Sequence, residues 1–229
     1  MQSLSYILIW LIALSTSLSA QSSDELTLTK EKAVKGDASA QLALGNLLRS
    51  GKSAPKDDIQ AASWFRKAAV QGNAEAQCIY GMCLSFAIGV QRNQQEAVTW
   101  YRKAADQGNT QGQFMLGVCY LEGNGVSRNP EQAFAWFMKT RDQAYASGLM
   151  GLFRCYDKGL GVKKDEIEAY AYLTQPTIGL SLIAEGLPED DFRKSISDYE
   201  KNLSAEQIAA GKKRAIELQK EIAAKKGGK

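Results

Sequence analysis

The chain has 229 residues, 45% of them hydrophobic and 23% charged, proportions that exclude a disordered chain and fit a folded, soluble one. A net charge of +3, with no basic stripe interleaved with aromatics, gives no sign of nucleic-acid binding. There is no histidine, which excludes a Ser-His-Asp triad, a Cys-His pair and any histidine-bound metal.

The first predicted element is a signal peptide over residues 1–20. Tyr6 to Leu14 form an apolar stretch, YILIWLIAL, followed by the small residues STSLSA, with cleavage expected after Ser19 or Ala20. No Lys or Arg precedes the stretch, so only the N-terminal amine supplies charge. The other reading is an uncleaved anchor, but nine apolar residues are short for a span of about 20. No cysteine follows that could carry a lipid, and no second hydrophobic span occurs. The expectation is therefore an exported protein, periplasmic or secreted, with residues 21–32 as a lead-in.

Self-comparison of the rest shows one register repeated every 36 residues. Gly36, Gly72 and Gly108 share it, as do Ala40, Ala76, Gly112 and Gly148. Trp64, Trp100, Trp136 and Tyr172 form a third column, and Ala61, Ala97, Ala133 and Ala169 a fourth. Such a period marks a repeat architecture in which each unit buries its apolar face against its neighbours. The units fall at 33–68, 69–104, 105–140 and 141–173.

Within a unit the columns define two helices. The Gly of Gly36-Asp37, Gly72-Asn73 and Gly108-Asn109 ends one helix in the left-handed conformation, and the Asp or Asn caps the next. That predicts a first helix near 38–50, ended by Gly51, with equivalents further along ended by Gly123 and Gly159. The second helix opens on a capping box in every repeat: Asp57/Gln60, Asn93/Glu96, Asn129/Gln132 and Asp165/Glu168. The small Ala and Gly columns let the paired helices approach, and the Trp column is expected to fill the space between repeats. The fold expected is all-α, a solenoid of four helix–turn–helix repeats.

Residues 69–105, AVQGNAEAQCIYGMCLSFAIGVQRNQQEAVTWYRKAA, and 107–137, QGNTQGQFMLGVCYLEGNGVSRNPEQAFAWF, resemble the Sel-one-like repeat family. The resemblance covers 33–173. It implies a right-handed α-α superhelix related to tetratricopeptide arrays, and an adaptor that assembles protein complexes. Some exported bacterial members act at the envelope or toward hosts. A cysteine-rich branch has been linked to β-lactam binding or hydrolysis, which is the alternative function. The chain departs from the pattern at Ser53, where later repeats have Gly89, Gly125 and Gly161. It departs again at Phe86-Ala87-Ile88, and at Ala144-Tyr145, where the Gly-Asn start is lost.

Cys83, Cys119 and Cys155 share a register, and Cys78 stands alone. Equivalent helices of adjacent repeats lie roughly 8–10 Å apart, too far for a disulfide, which needs Cα atoms about 4.4–6.8 Å apart. Cys78 and Cys83 point to different sides of one helix, and stacked thiols without histidine suit no tetrahedral metal. Small buried packing residues are expected, with no cofactor and no metal. The string Ser53-Ala54-Pro55-Lys56 matches Ser-x-x-Lys, but no Lys-Thr-Gly or Ser-Asp-Asn accompanies it. No catalytic residue is expected, and the chain reads as a binding scaffold.

Ligand-facing columns of a repeat array should vary while scaffold columns repeat. Ala43, Ile79, Met115 and Gly151 form one variable column, and Asn46, Met82, Val118 and Arg154 another, three residues on and hence on one helix face. Ile79, Met82, Met115 and Val118 would make an apolar floor flanked by Asn46 and Arg154, suited to a peptide or partner protein. The competing reading has these apolar residues packing between repeats. Phe86 and Ile88, two large apolar residues at a turn, form either a second contact patch or an inward-tucked loop.

Residues 174–229 read as helical capping segments with a basic tail. Thr174-Gln175-Pro176 ends the last repeat helix, and the stretch to Gly186 reads as irregular. Pro188 opens a helix through Leu203, and Ser204/Gln207 begin another that runs toward Lys225. Ile208, Gly211, Ala215, Leu218 and Ile222 make its narrow apolar stripe. Seven basic and two acidic residues from 211 onward suit the C-terminal end of a helix, with an anionic surface as the other reading.

Overall fold

The computed structural model describes residues 26–52 and 55–227, so the expected signal peptide lies outside the described residues. All regular structure among them is helical. We number the first helix, 26–34, α1. The four repeats contribute α2 (Ala38–Ser50), α3 (Asp58–Val70), α4 (Ala74–Phe86), α5 (Gln94–Asp106), α6 (Thr110–Glu122), α7 (Pro130–Arg141), α8 (Ala146–Lys158) and α9 (Glu166–Leu173). Three more follow: α10 (Pro176–Ala184), α11 (Glu189–Glu200) and α12 (Ala205–Gly227). The chain forms two compact units that divide between Trp100 and Tyr101, inside α5.

The helix ends obey the repeat. Asp37, Asn73 and Asn109 each accept from the backbone N–H three residues on, at 2.7–2.9 Å. Gly36, Gly72 and Gly108 sit at φ of 99°, 94° and 83°. The second-helix caps also hold, with Asp57, Asn93, Asn129 and Asp165 accepting from the third residue's N–H. The expected return bond of the capping box does not form. The N–H of each cap instead donates to a first-helix carbonyl, of Leu48, Leu84, Tyr120 and Tyr156 respectively. The two helices of a repeat are thereby tied together, and the Gln60 side chain donates to the Asp57 carboxylate instead.

A buried glutamine makes a second tie. Gln41, Gln77 and Gln113 donate to the carbonyls of Ala33, Ala69 and Ala105, eight residues earlier in each case. This register shows what the lead-in becomes. Ala33 occupies the place of Ala69 and Ala105, so α1 stands in the register of the second helices and forms half a repeat ahead of the first. Sequence reading missed it, because Leu28 occupies the tryptophan register and no Ala-x-x-Trp signature marks the helix.

Close approach explains the small columns. A Cβ on Gly45 or Gly117 would lie 2.5 or 2.6 Å from the ring of Phe65 or Phe137. A Cβ on Gly148 would lie 1.7 Å from the Thr140 hydroxyl. The Trp column is less uniform than expected. Trp100 and Tyr172 are buried, whereas Trp64 and Trp136 are half-buried. Lys67 and Lys139 each place Nζ 3.7 Å from the centroid of the ring three residues earlier, so these indoles face solvent under a cation.

The tail is more regular than expected. Residues 176–184 form α10, with Pro176 at its first position and no side-chain cap. Glycine at 179 and the missing polar cap hide this helix from a sequence reading. The Ser204 box closes fully: Ser204 N–H donates to Gln207 at 2.8 Å, and Gln207 N–H to the Ser204 hydroxyl at 3.2 Å. α12 then packs on α9. Gly211 lets the Tyr170 ring approach, Leu218 and Ile222 are buried, and Arg214 pairs with Glu168 at 2.6 Å.

Cys78, Cys83, Cys119 and Cys155 are free, buried thiols. Burial pushes Cys78 up to about 12 and the other three up to about 11. Thiolate, the reactive form, is therefore scarce at neutral pH. In the folded protein a colourimetric disulfide reagent at pH 8 should react over hours, and in denaturant it should count four thiols within minutes. Rapid native reaction would mean that these helices open.

Candidate interaction surface

The structure places the variable columns on the first helix of each repeat and adds their neighbours. On α4 the positions spaced by four and three residues are Glu75, Ile79, Met82 and Phe86, which share one helix face. Phe86 is the last residue of α4 and 62% exposed, Met82 is half-buried, and Ile88 is half-buried just beyond the turn. The turn patch and the variable columns thus form one apolar stripe in the first unit. Ile79 is only 6% exposed, which corrects its place from the surface to the core beneath. Asn46, on α2, is half-buried and accepts from Arg49 at 3.2 Å.

Ala87, which ends α4, adopts φ 56°, the left-handed conformation that Gly51, Gly123 and Gly159 adopt in the other repeats. The Phe86 side chain therefore leaves from a helix terminus held in a strained conformation.

In the second unit Met115 and Val118 of α6 are half-buried. At the end of this face Arg154 of α8 pairs with Glu122 at 3.3 Å, both side chains about half exposed. Gly151 proves to be a packing position, because a Cβ there would lie 3.0 Å from the Phe137 ring. Beside these residues a cavity of about 170 Å³ opens among Phe114, Ala146, Ser147, Met150, Ile178 and Leu182. The Phe114 ring meets Tyr145 edge-on at 5.8 Å. Sequence reading missed this cavity, since α10 forms one wall.

Among the described residues no cluster of Cys, Asp and Glu could hold a metal ion, and no helix is long and apolar enough to cross a membrane. Ser53 lies outside the described residues, and Lys56 is an exposed partner of Asp58 at 3.2 Å.

The Sel1 repeat profile matches residues 38–73, 74–109, 110–145 and 144–175, the same period as the self-comparison with a later start. Repeats of this family typically form protein–protein interaction scaffolds. Two solved structures are similar. The first is c5321, described as a protective antigen of uropathogenic Escherichia coli strains with an SLR fold, at 30% identity and TM-score 0.74 over 87% of this chain. That alignment takes in 41% of c5321, so the chain spans about two-fifths of that protein. The second is a Sel1 repeat protein of Oxalobacter formigenes, at 26% identity and TM-score 0.64, covering 79% of this chain and 77% of the other. Comparison with curated proteins returns no match. The repeat register, the all-α solenoid-class fold and the profile match along 38–175 together place this chain in the Sel1 repeat family.

Proposed function

We propose that the protein is a non-catalytic adaptor that acts outside the cytoplasm and binds a partner protein or peptide through the exposed face of its first helices. The supporting observation is that this face changes from repeat to repeat while the packing columns do not. On α4 it presents Met82 and 62%-exposed Phe86, and on α6 Met115 and Val118. Adaptable methionine and a large aromatic are the residue types that carry binding energy at interfaces.

A photocrosslinking residue at Met82 or Phe86, expressed in the native host, should capture a defined partner, whereas the same residue at exposed Ser63 on α3 should not. Met82→Asp and Met115→Asp, made separately, should each weaken that partner's binding tenfold or more, about 1.4 kcal/mol, with little change in melting temperature. A large fall in melting temperature would assign these residues to packing instead.

Export rests on the Tyr6–Leu14 stretch and the small residues after it. N-terminal sequencing of the protein from its host should begin near Ala20 or Gln21 and recover it outside the cytoplasm. An intact Met1 in the membrane pellet would mean an anchor.

A further inference from the structure

The groove beside the N-terminal half-repeat lacks the side chain that closes its counterparts further along. Because α1 stands in the register of the second helices, Lys30 falls in column with Arg66 and Arg102. In the next two repeats that cation meets a tyrosine from the first helix that follows. Arg66 lies within hydrogen-bonding reach of the Tyr80 hydroxyl. Arg102 donates to the Tyr120 hydroxyl and lies 5.7 Å from the centroid of its ring. In both places the phenol is buried with its oxygen within the cation's reach, and at Tyr120 it accepts the cation's hydrogen bond.

After α1 the corresponding positions are Leu44, in the column of Tyr80, and Leu48, in the column of Tyr120. Neither side chain can fill the space or bring an acceptor to Lys30. What remains is an open groove of about 430 Å³ whose lining includes Lys30, Val34, Leu44, Leu48, Lys56 and Trp64. Its floor is apolar and its rim polar, with Lys30 and Lys56 beside the Asp57 carboxylate and Gln60. Leu44 and Leu48 are 2% and 7% exposed, Val34 is 74% exposed, and Trp64 is half-buried with Lys67 stacked on its ring. Among the described residues Lys30 makes no ion pair.

We propose that this groove receives a tyrosine side chain presented by a partner protein, which completes the first repeat as Tyr80 and Tyr120 complete theirs. The ring occupies the apolar floor, and its hydroxyl accepts a hydrogen bond from Lys30. The groove uses other residues of α2 than the first-helix face does, so the two readings stand or fall separately.

The test titrates N-acetyl-tyrosinamide into the full chain while the methyl resonances of Leu44 and Leu48 are followed in a ¹³C-methyl-leucine sample. Both resonances should shift saturably at millimolar probe. The tyrosine derivative should bind about threefold to tenfold tighter than N-acetyl-phenylalaninamide, the value of one hydrogen bond. Lys30→Met should remove that difference and leave the apolar shift. Leu48→Tyr should fill the groove from within, abolish the Leu44 response and raise the melting temperature. Should that variant fold poorly, Leu44→Tyr makes the same test on Leu48. Unmoved resonances, equal binding of the two probes, or an unchanged response in a folded filled variant would each overturn the proposal.

Discussion

Truncation after Gln175 should lower the melting temperature by roughly 6–12 °C and promote aggregation, because it strips the last repeat of its cover. α9 has only eight residues, and Tyr170, Tyr172 and Leu173 are 1%, 1% and 6% exposed. α12 lies on this helix through Leu218 and Ile222, 0% and 7% exposed, with Gly211 against the Tyr170 ring. Polar ties run along the same interface. Gln175 donates to the Ala215 carbonyl at 3.1 Å, Gln207 to Glu166 at 2.8 Å, and the Tyr170 hydroxyl to Glu200 at 2.6 Å. Burial of three or four large side chains is worth about 4–8 kcal/mol before entropy. Ordering the tail removes part of that, leaving about 3 kcal/mol, and each kcal/mol moves the midpoint of a chain this size by about 2–4 °C. Leu218→Asp in the full chain should reproduce much of the loss, since it buries a charge at a fully enclosed position. Lys225→Glu should not, because Lys225 is 63% exposed and stands 4.0 Å from Asp142, an ion pair of little value. A truncated protein that melts like the full chain would mean that α12 is no cap.

The parts of this structure that a reader could take from the sequence are those fixed by local chemistry. Gly36-Asp37 and Gly51 bracket α2 at Ala38–Ser50, because a left-handed residue and an N-cap are decided within a few residues. The apolar stripe of α12 was legible for the same reason. α10 was not, because it begins on Pro176 without a side-chain cap and contains Gly179, whose Cβ would lie 2.7 Å from the Phe192 ring. That contact is tertiary and leaves no local signature. The candidate surface shows the same limit. Ile79 and Met82 look alike in a column comparison, yet only Met82 faces outward, and Gly151 varies because Phe137 needs the room. Variation between repeats therefore marks both ligand-facing and packing positions, and only burial separates them.

Two substitutions two residues apart in the turn after α4 should have opposite signs. Gly89 has φ 67°, and a Cβ there would lie 1.9 Å from the Asp58 carbonyl oxygen and 2.8 Å from the Ile59 nitrogen. The obstacle is backbone at the start of α3, which cannot swing aside. Gly161 repeats the arrangement, with its Cβ position 2.1 Å from the Pro130 carbonyl oxygen at the start of α7. The glycine column is thus a demand made by the preceding second helix on the loop of the next repeat. Gly89→Ala combines left-handed strain of about 1–2 kcal/mol with overpacking of about 1–3 kcal/mol, and should lower the melting temperature by roughly 4–20 °C. Ala87 stands at φ 56° without such an obstacle in its own column, where Gly51, Gly123 and Gly159 are the rule. Ala87→Gly relieves about 1–2 kcal/mol of strain and gives back about 0.5–1 kcal/mol of unfolded-state entropy. It should therefore raise the midpoint by a degree or two. The pair is read by thermal unfolding under one set of conditions, with Phe86 untouched in both variants. If Gly89→Ala is neutral, the loop does not rest on α3. If Ala87→Gly destabilises, the left-handed turn after Phe86 is not strained, and the exposed phenylalanine owes its position to something other than the conformation of the residue that follows it.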